Sequence, residues 1–415
     1  MQLTGLLPLL LHNGDFREAA AAIGASPVTL SVIRSARPVT AAALYRALHV
    51  PVIYVTGSIR RAYDVSEQLP VWLGGDAPIL RFTEPAATFY QHAPWGEAST
   101  RSRLETLSAL AFGDTDTQPF VVTSARALMQ PTIPFNQFHK NTLQLKRDAV
   151  LNIDRLLRTL QGTGYEGVTL VTEPGQFSRR GGVVDVYPVA ADLPVRLEFF
   201  GDTLDSLRSF DPSTQRTRAK LDSVVITPAR EVLPQATPDI APQLTPWFDG
   251  LPEDSDIGKD REPLTNGTPF PHLEFYLPYV YPRPVSLLDY APENRLIIIE
   301  DFEELHDTIR QIAEASEQSR LDYLRDQRLP EQYGRPYLDW DALEGDLIGT
   351  NTASFTAADG HLRGLFVAES RFSGQLKPAL GHVRSMKSER QTAIVVSQQT
   401  ARIADLWRIQ DPDGI

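Results

Sequence analysis

The stretch from Glu173 to Thr217, EPGQFSRRGGVVDVYPVAADLPVRLEFFGDTLDSLRSFDPSTQRT, constrains the fold more than any other part of the chain. It holds two apolar runs, VVDVYP and VRLEFF, one opened by arginine and glycine and the other by proline. Val183, Val184, Val186, Val195, Leu197 and Phe199 supply β-branched and aromatic residues at strand density. Gly181-Gly182 and Gly201-Asp202 mark the turns. Arg179, Arg180, Arg196, Arg208, Arg216 and Arg218 thread the resulting hairpins. A small sheet that spaces arginines between aromatics is suited to meeting another macromolecule rather than to enclosing a substrate.

The surroundings of this stretch have a different rhythm. Residues 1–140 alternate helix and strand signals: helices over Asp15 to Ile23, Val39 to Leu48, Ile59 to Leu69 and Arg101 to Phe112, and strands over Val50 to Thr56, Ile79 to Phe82 and Phe120 to Ser124. Such alternation implies a parallel sheet covered by helices. Residues 141–228 interrupt it as an α+β insertion, opened by a helix from Arg147 to Leu160. Residues 229–340 return to the first domain through a proline-rich passage. That passage includes a candidate loop at Leu251 to Thr268, strands at Ser286 to Tyr290 and Arg295 to Glu300, a charged helix from Asp301 to Arg325 and a linker at Tyr333 to Tyr337. Residues 345–415 read as a small third α/β domain, with strands at Ser354-Phe355, Leu365 to Val367 and Thr392 to Ser397 and a helix from Thr400 to Arg408.

Bulk properties exclude several classes. With 415 residues the chain has room for roughly three domains of about 100–200 residues each. No apolar run approaches the roughly 20 residues that span a bilayer, and MQLTGLLPLLLHNGDF lacks a basic start, so it reads as a first helix and not a signal peptide. There are no cysteines, which removes disulfides and thiolate chemistry. The histidines (His12, His49, His92, His139, His272, His306, His361 and His382) show no H-x-x-x-H or H-E-x-x-H spacing, so no metal site is expected. A net charge of −12 argues against a general nucleic-acid coat, because such affinity rests on neutralising phosphates. Asp301, Glu303 and Glu304 read as the acidic start of a helix and not as catalytic carboxylates. No catalytic residue is expected.

The patterns G-x-F-x-x-R-G-G-x-x-D-x-Y-P, R-x-E-F-F-G-D and S-x-R-x-F-D-x-x-x-Q-R-T resemble the domain shared by UvrB proteins and transcription-repair coupling factors. Ile226 to Leu233 and Glu274 to Asp289 resemble further coupling-factor segments. The resemblance runs to about residue 340, and residues 345–415 resemble the coupling factors' small third domain. It implies a degenerate RecA-like, helicase-type α/β domain carrying an inserted UvrA-binding domain. It also implies docking of UvrA, so that stalled RNA polymerase is coupled to nucleotide excision repair, in the bacterial cytoplasm and at the nucleoid. Coupling factors are much longer, so the resemblance implies an N-terminal fragment. The translocase domains that use ATP and magnesium, and the contacts to RNA polymerase and double-stranded DNA, are then expected beyond residue 415, and this fragment is expected to hold no cofactor and to meet no membrane. The alternatives are a UvrB-type ATP-dependent helicase and a non-specific DNA-binding protein.

Where a UvrB-like protein has its phosphate loop, this chain has LSVIRSARP, Leu30 to Pro38. Ser31, Arg34 and Ala36 stand where glycines let backbone N–H groups approach phosphates. Arg37 replaces the lysine, and Pro38 replaces the magnesium-holding hydroxyl while removing one N–H donor from the helix start. ATP binding is therefore not expected. Arg34 and Arg37 read as solvated, with an anion contact as the alternative. Thr56-Gly57-Ser58 reads as a plain strand-to-helix turn, and Tyr90, His92 and Trp95 as packing residues.

By resemblance, the UvrA-docking residues are Arg180, Arg196 and Phe200, with Arg179, Glu198, Asp202, Arg208 and Arg216 second. Alternation supports this, because Val195, Leu197 and Phe199 share one strand face and Arg196 and Phe200 the other. The alternatives are an internal pair between Arg180 and Asp185 or Asp202, a solvated Arg196 and a core Phe200. Asp185 is expected to order a turn.

Overall fold

A computed structural model describes residues 2–410 except 76, 114–116, 254, 327, 331–332, 369–371, 373–374 and 396–398. The chain divides into two compact units, Met1–Leu365 and Phe366–Ile415.

The first unit is organised by an all-parallel sheet of six strands: β1 (Val28–Ser31), β2 (Val52–Thr56), β3 (Ile79–Phe82), β4 (Phe120–Ser124), β13 (Leu296–Ile299) and β14 (Thr352–Thr356), in the order β1-β14-β13-β2-β4-β3. Every residue of β2, β4 and β13 is buried. This is why VIYVT, FVVTS and LIII are continuous apolar runs and not alternating ones: a parallel sheet covered on both faces leaves no strand position for water. Helices Arg37–Leu48, Ile59–Leu73, Glu97–Phe112 and Phe302–Arg325 lie between the strands in sequence. Several start at side-chain caps. Ser58 accepts from Arg61 N and Asp301 from Glu304 N, so Thr56-Gly57-Ser58 is a strand-to-helix turn and Asp301 a cap. Pro8 sits in the first turn of the helix Leu7–Leu11, where its missing N–H costs nothing.

The insertion leaves this core through β5 (Leu143–Lys146) and returns through β12 (Ser223–Ile226), and these two strands pair antiparallel with each other. Between them lies a second sheet: β6 (Glu166–Gly167), β7 (Gln176–Arg180), β8 (Val183–Val186), β9 (Val195–Phe200), β10 (Thr203–Phe210) and β11 (Thr217–Leu221), in the order β11-β10-β9-β8-β7-β6. The helix of the insertion spans Ile153–Gly162, not Arg147 to Leu160. Asp148 has φ 66°, which no helix tolerates, and Asn152 caps the true start by accepting from Arg155 N.

Several expectations for the return segment are corrected. Leu251 to Thr268 is not simply a loop, since it holds the 3-10 turn Gly258–Asp260 and the helix Arg261–Asn266. Ser286 to Tyr290 is not a strand but a capped 3-10 turn, in which Ser286 and Asp289 satisfy each other's backbone ends. Tyr333 to Tyr337 is no linker: Tyr333 is buried against Tyr90, Phe275 and Tyr279, and its hydroxyl donates to the Phe275 carbonyl. Tyr90 and Trp95 are buried packing residues, as expected. The stretch from 345 to 365 belongs to the first unit, because β14 pairs in parallel with both β1 and β13. Leu365 to Val367 is not a strand, and neither is the described part of the run from Thr392; Val396 and Ser397 lie outside the described residues. The second unit holds the helices Leu376–Ser388 and Thr400–Gln410. Among the described residues no helix is long and apolar enough to cross a membrane.

The insertion is fixed to the core by a buried ion pair. Arg103 and Glu231 have side chains with no solvent exposure. Arg103 Nε and Nη2 donate to the two carboxylate oxygens of Glu231 at 2.5 and 3.0 Å. Thr132 donates to Glu231 Oε2, and Arg103 also donates to the carbonyls of Thr83 and Pro131. The guanidinium lies 4.0 Å from the Phe82 ring centre and 5.1 Å from that of Trp95. Removing one member of such a pair strands the other in low dielectric. Glu231→Ala is therefore expected to lower stability by about 3–5 kcal/mol in urea denaturation, with Arg103→Ala comparable.

Candidate protein-docking face

The second sheet has one face turned inward and one outward. Val184, Val186, Val195, Leu197 and Leu207 join the core cluster together with Ile153, Leu156 and Leu160 of the insertion's helix. Register then fixes the opposite face. Arg196 faces Asp185 on β8 and Arg208 on β10; Glu198 faces Val183 and Ser206; Phe200 faces Thr203; Arg180 faces Val183. Alternation along β9 puts Arg196, Glu198 and Phe200 together, and pairing adds Arg180 and Arg208.

These side chains are not equivalent. Phe200 is 84% exposed, at the end of β9 beside the Gly201-Asp202 turn, where Gly201 has φ 61°. It is not core. Arg180 is largely exposed and lies 3.5 Å from Asp185, a loose contact that leaves most of its donors free. Arg196 is half-buried, not solvated. Its Nε and Nη2 bind both oxygens of Asp185 at 2.7 and 2.8 Å, Nη2 reaches Gln215 Oε1 at 3.3 Å, and the guanidinium lies 4.6 Å from the Phe210 ring centre. The Asp185 contacts raise the Arg196 pKa further above its ordinary value. Asp185 is thus a buried mid-strand anchor, not a turn residue. Glu198 accepts from Ser206 and Arg208, both at 2.6 Å.

The loop after β10 supports Arg196 from one side. Asp211 accepts from Ser213, Thr214 and Arg218, and its carboxyl is held well below the usual range by the Ser213 hydroxyl first and Arg218 second. Gln215, at φ 59°, is turned back so that its amide donates to the carbonyls of Val171 and Pro212 while its oxygen meets Arg196. The pattern S-x-R-x-F-D-x-x-x-Q-R-T thus contains the Phe210 and Gln215 that hold Arg196, a role their spacing alone does not reveal.

Two expected members leave the face. Arg179 alternates to the helix side and pairs with Asp154 at 2.5 Å. Asp202 meets the start of the same helix: its carbonyl accepts from Leu151 N, and its side chain lies near Asn152. Arg216 is exposed in the turn beyond β10.

The stretch from Leu30 to Pro38 is also placed residue by residue. Ser31 closes β1 against Thr356, and Arg34 is exposed in the 3-10 turn Arg34–Ala36. Ala36 and Pro38 are buried. Arg37 is not solvated: it is 6% exposed and donates to the carbonyls of Val32, at 3.3 Å, and Glu300, at 2.7 Å. The Glu300 carboxylate meets Arg61 at 2.5 Å, and its burial pushes the carboxyl pKa up against the pull of Arg61 and Arg37. The histidine spacing gave no expectation of a metal site, yet His92, Asp260 and His272 converge in the fold.

The first unit is thus a parallel α/β core carrying a six-stranded α+β insertion whose outer face presents arginines and an exposed aromatic ring. Residues 143–232 match the family model of the UvrB interaction domain, which spans the paired strands β5 and β12 and ends just past Glu231. Over a longer stretch the chain is similar to transcription-repair-coupling factors. It is 30% identical to that of Bacillus subtilis (strain 168) over 67% of this chain and 24% of the relative. It is 31% identical to that of Myxococcus xanthus over 64% of this chain and 23% of the relative, and 31% identical to that of Escherichia coli (strain K12) over 60% and 21%. The chain therefore spans about a quarter of the length of these relatives.

The unequal burial of the face separates two kinds of substitution. Phe200→Ala removes an exposed ring and is expected to change unfolding free energy by less than about 0.5 kcal/mol. Arg196→Ala leaves Asp185 buried without its main partner and is expected to cost about 3 kcal/mol. Chemical denaturation of both variants reads the difference.

Proposed function

We propose that this chain is a UvrA-docking module, the UvrB-like part of a transcription-repair coupling factor, and that it recruits UvrA to stalled RNA polymerase for nucleotide excision repair. The observation that carries this reading is Phe200: a large aromatic 84% exposed, on the same face as the largely exposed guanidinium of Arg180, within a segment that matches the UvrB interaction domain. An exposed aromatic and an arginine on a rigid sheet have the composition of a binding hot spot. Arg196, held by Asp185, is a positioning residue with one edge available to a partner. Glu198 and Arg208 complete the polar surround. RNA polymerase, duplex DNA, ATP and magnesium are assigned to other segments of a full-length coupling factor acting in the cytoplasm.

The same proposal holds that LSVIRSARP does not bind ATP. The Arg37 side chain already donates to carbonyls at the C-terminal end of the sheet, and Pro38 removes a donor an anion would need.

Calorimetric titration of purified UvrA into the chain tests the docking reading. Wild type is expected to bind, and Phe200→Ala to weaken binding about 30-fold, the equivalent of a 2 kcal/mol anchor. Folded wild type that fails to bind UvrA would sink the proposal, whereas wild-type binding untouched by Phe200→Ala and Arg180→Ala would move the site to another face. A fluorescent ATP analogue is expected to give no saturable signal; a saturable signal abolished by mutating Arg37 would restore a nucleotide site.

A further inference from the structure

Away from the docking face, three segments distant in sequence bring together side chains of metal-ligating type. His92 lies in the loop between β3 and the helix Glu97–Phe112, Asp260 closes the turn Gly258–Asp260, and His272 precedes the turn Leu273–Tyr276. His92 Nε2 is 2.5 Å from Asp260 Oδ2, and His272 Nδ1 is 3.8 Å from Asp260 Oδ1. One donor atom from each residue lies within 4.8 Å of the other two. The two imidazole ring centres are 4.1 Å apart, and Phe275 meets the edge of the group at 5.1 Å from the His92 ring.

Charge makes this arrangement informative. Asp260 is 4% exposed, and a carboxylate withdrawn from water needs a compensating cation. The cations beside it in sequence are turned elsewhere, Lys259 to Asp256 and Arg261 to Asp249. Among the described ion pairs only the two imidazoles reach Asp260. The Tyr276 hydroxyl donates to Asp260 Oδ2 at 2.9 Å. A hydrogen bond onto the ligating carboxylate is the outer contact that metal sites generally carry.

We propose that His92, Asp260 and His272 form a site for a divalent transition-metal ion of the zinc class. Two imidazoles and a carboxylate are a borderline nitrogen-oxygen set, suited to zinc and its neighbours and not to calcium or magnesium, which prefer oxygen alone. In a tetrahedral zinc site the donors stand about 3.4 Å apart, between the two separations found here. The ion joins the two imidazoles to the buried Asp260 carboxylate. It also ties the loop around His92 to the turns around Asp260 and His272, a region where regular elements are short. The site is a clasp and has no part in UvrA contact.

The full chain, stripped with chelator, is titrated with zinc chloride by calorimetry while its melting temperature is followed. One zinc per chain and a higher melting temperature are expected. Tyr276→Phe is expected to weaken zinc affinity about 10–100-fold. His92→Gln and His272→Gln, shown by circular dichroism to be folded, are expected to lose stoichiometric uptake. Folded wild type that takes up no stoichiometric zinc overturns the proposal. So does uptake that persists undiminished in both histidine variants, because the ion would then lie elsewhere.

Discussion

The contact between Arg103 and Glu231 is the constraint on which the relation of core to insertion depends. Arg103 belongs to a helix of the parallel domain, and Glu231 follows β12, the strand by which the insertion returns. Neither side chain has any solvent, so the pair survives only because each donor and acceptor is met: Thr132 on the carboxylate, two carbonyls on the guanidinium, and Phe82 and Trp95 on its faces. The next residue back, Arg230, forms a second two-pronged pair with Glu274 at 2.8 and 2.5 Å. Adjacent residues thus tie the exit of the insertion to two separate parts of the first unit. This explains why a segment as proline-rich as 229–290 is still ordered by contact.

The docking face gains its rigidity from neighbours that do not themselves present to a partner. Asp185, Phe210 and Gln215 hold Arg196 in one orientation before any partner arrives, which reduces the ordering cost that binding would otherwise incur. Phe200 needs no such support, since a ring on a strand has few rotamers to lose. The face therefore combines a fixed cation, a freer one in Arg180 and an exposed ring.

Much of this was legible in the sequence, and the failures have physical reasons. Alternation of helix and strand signals over residues 1–140 announced a parallel sheet covered by helices, and the turn glycines announced the hairpins. Alternation along VRLEFF placed Arg196 and Phe200 on one face. It could not tell that Arg196 would be bound by Asp185, because which carboxylate faces which arginine depends on register across strands. β14 was assigned to a separate domain because a short strand such as TASFT carries no mark of the sheet it will join. The 3-10 turns at 258–260 and 287–290 are too short to leave a periodic signal. The His92, Asp260 and His272 cluster leaves no local signal because His92 lies far along the chain from the other two and all three sit on different segments, and spacing rules detect only ligands on one local element.

Arg37 has a consequence that concerns time and not shape. A phosphate at a helix start is a guest: it arrives and leaves, and the strands it bridges are joined only while it stays. A guanidinium tethered to its own helix presents its donors at an effective concentration that dilution cannot lower. The junction between the ends of β1 and β13 is thereby held by a donor that belongs to the chain itself.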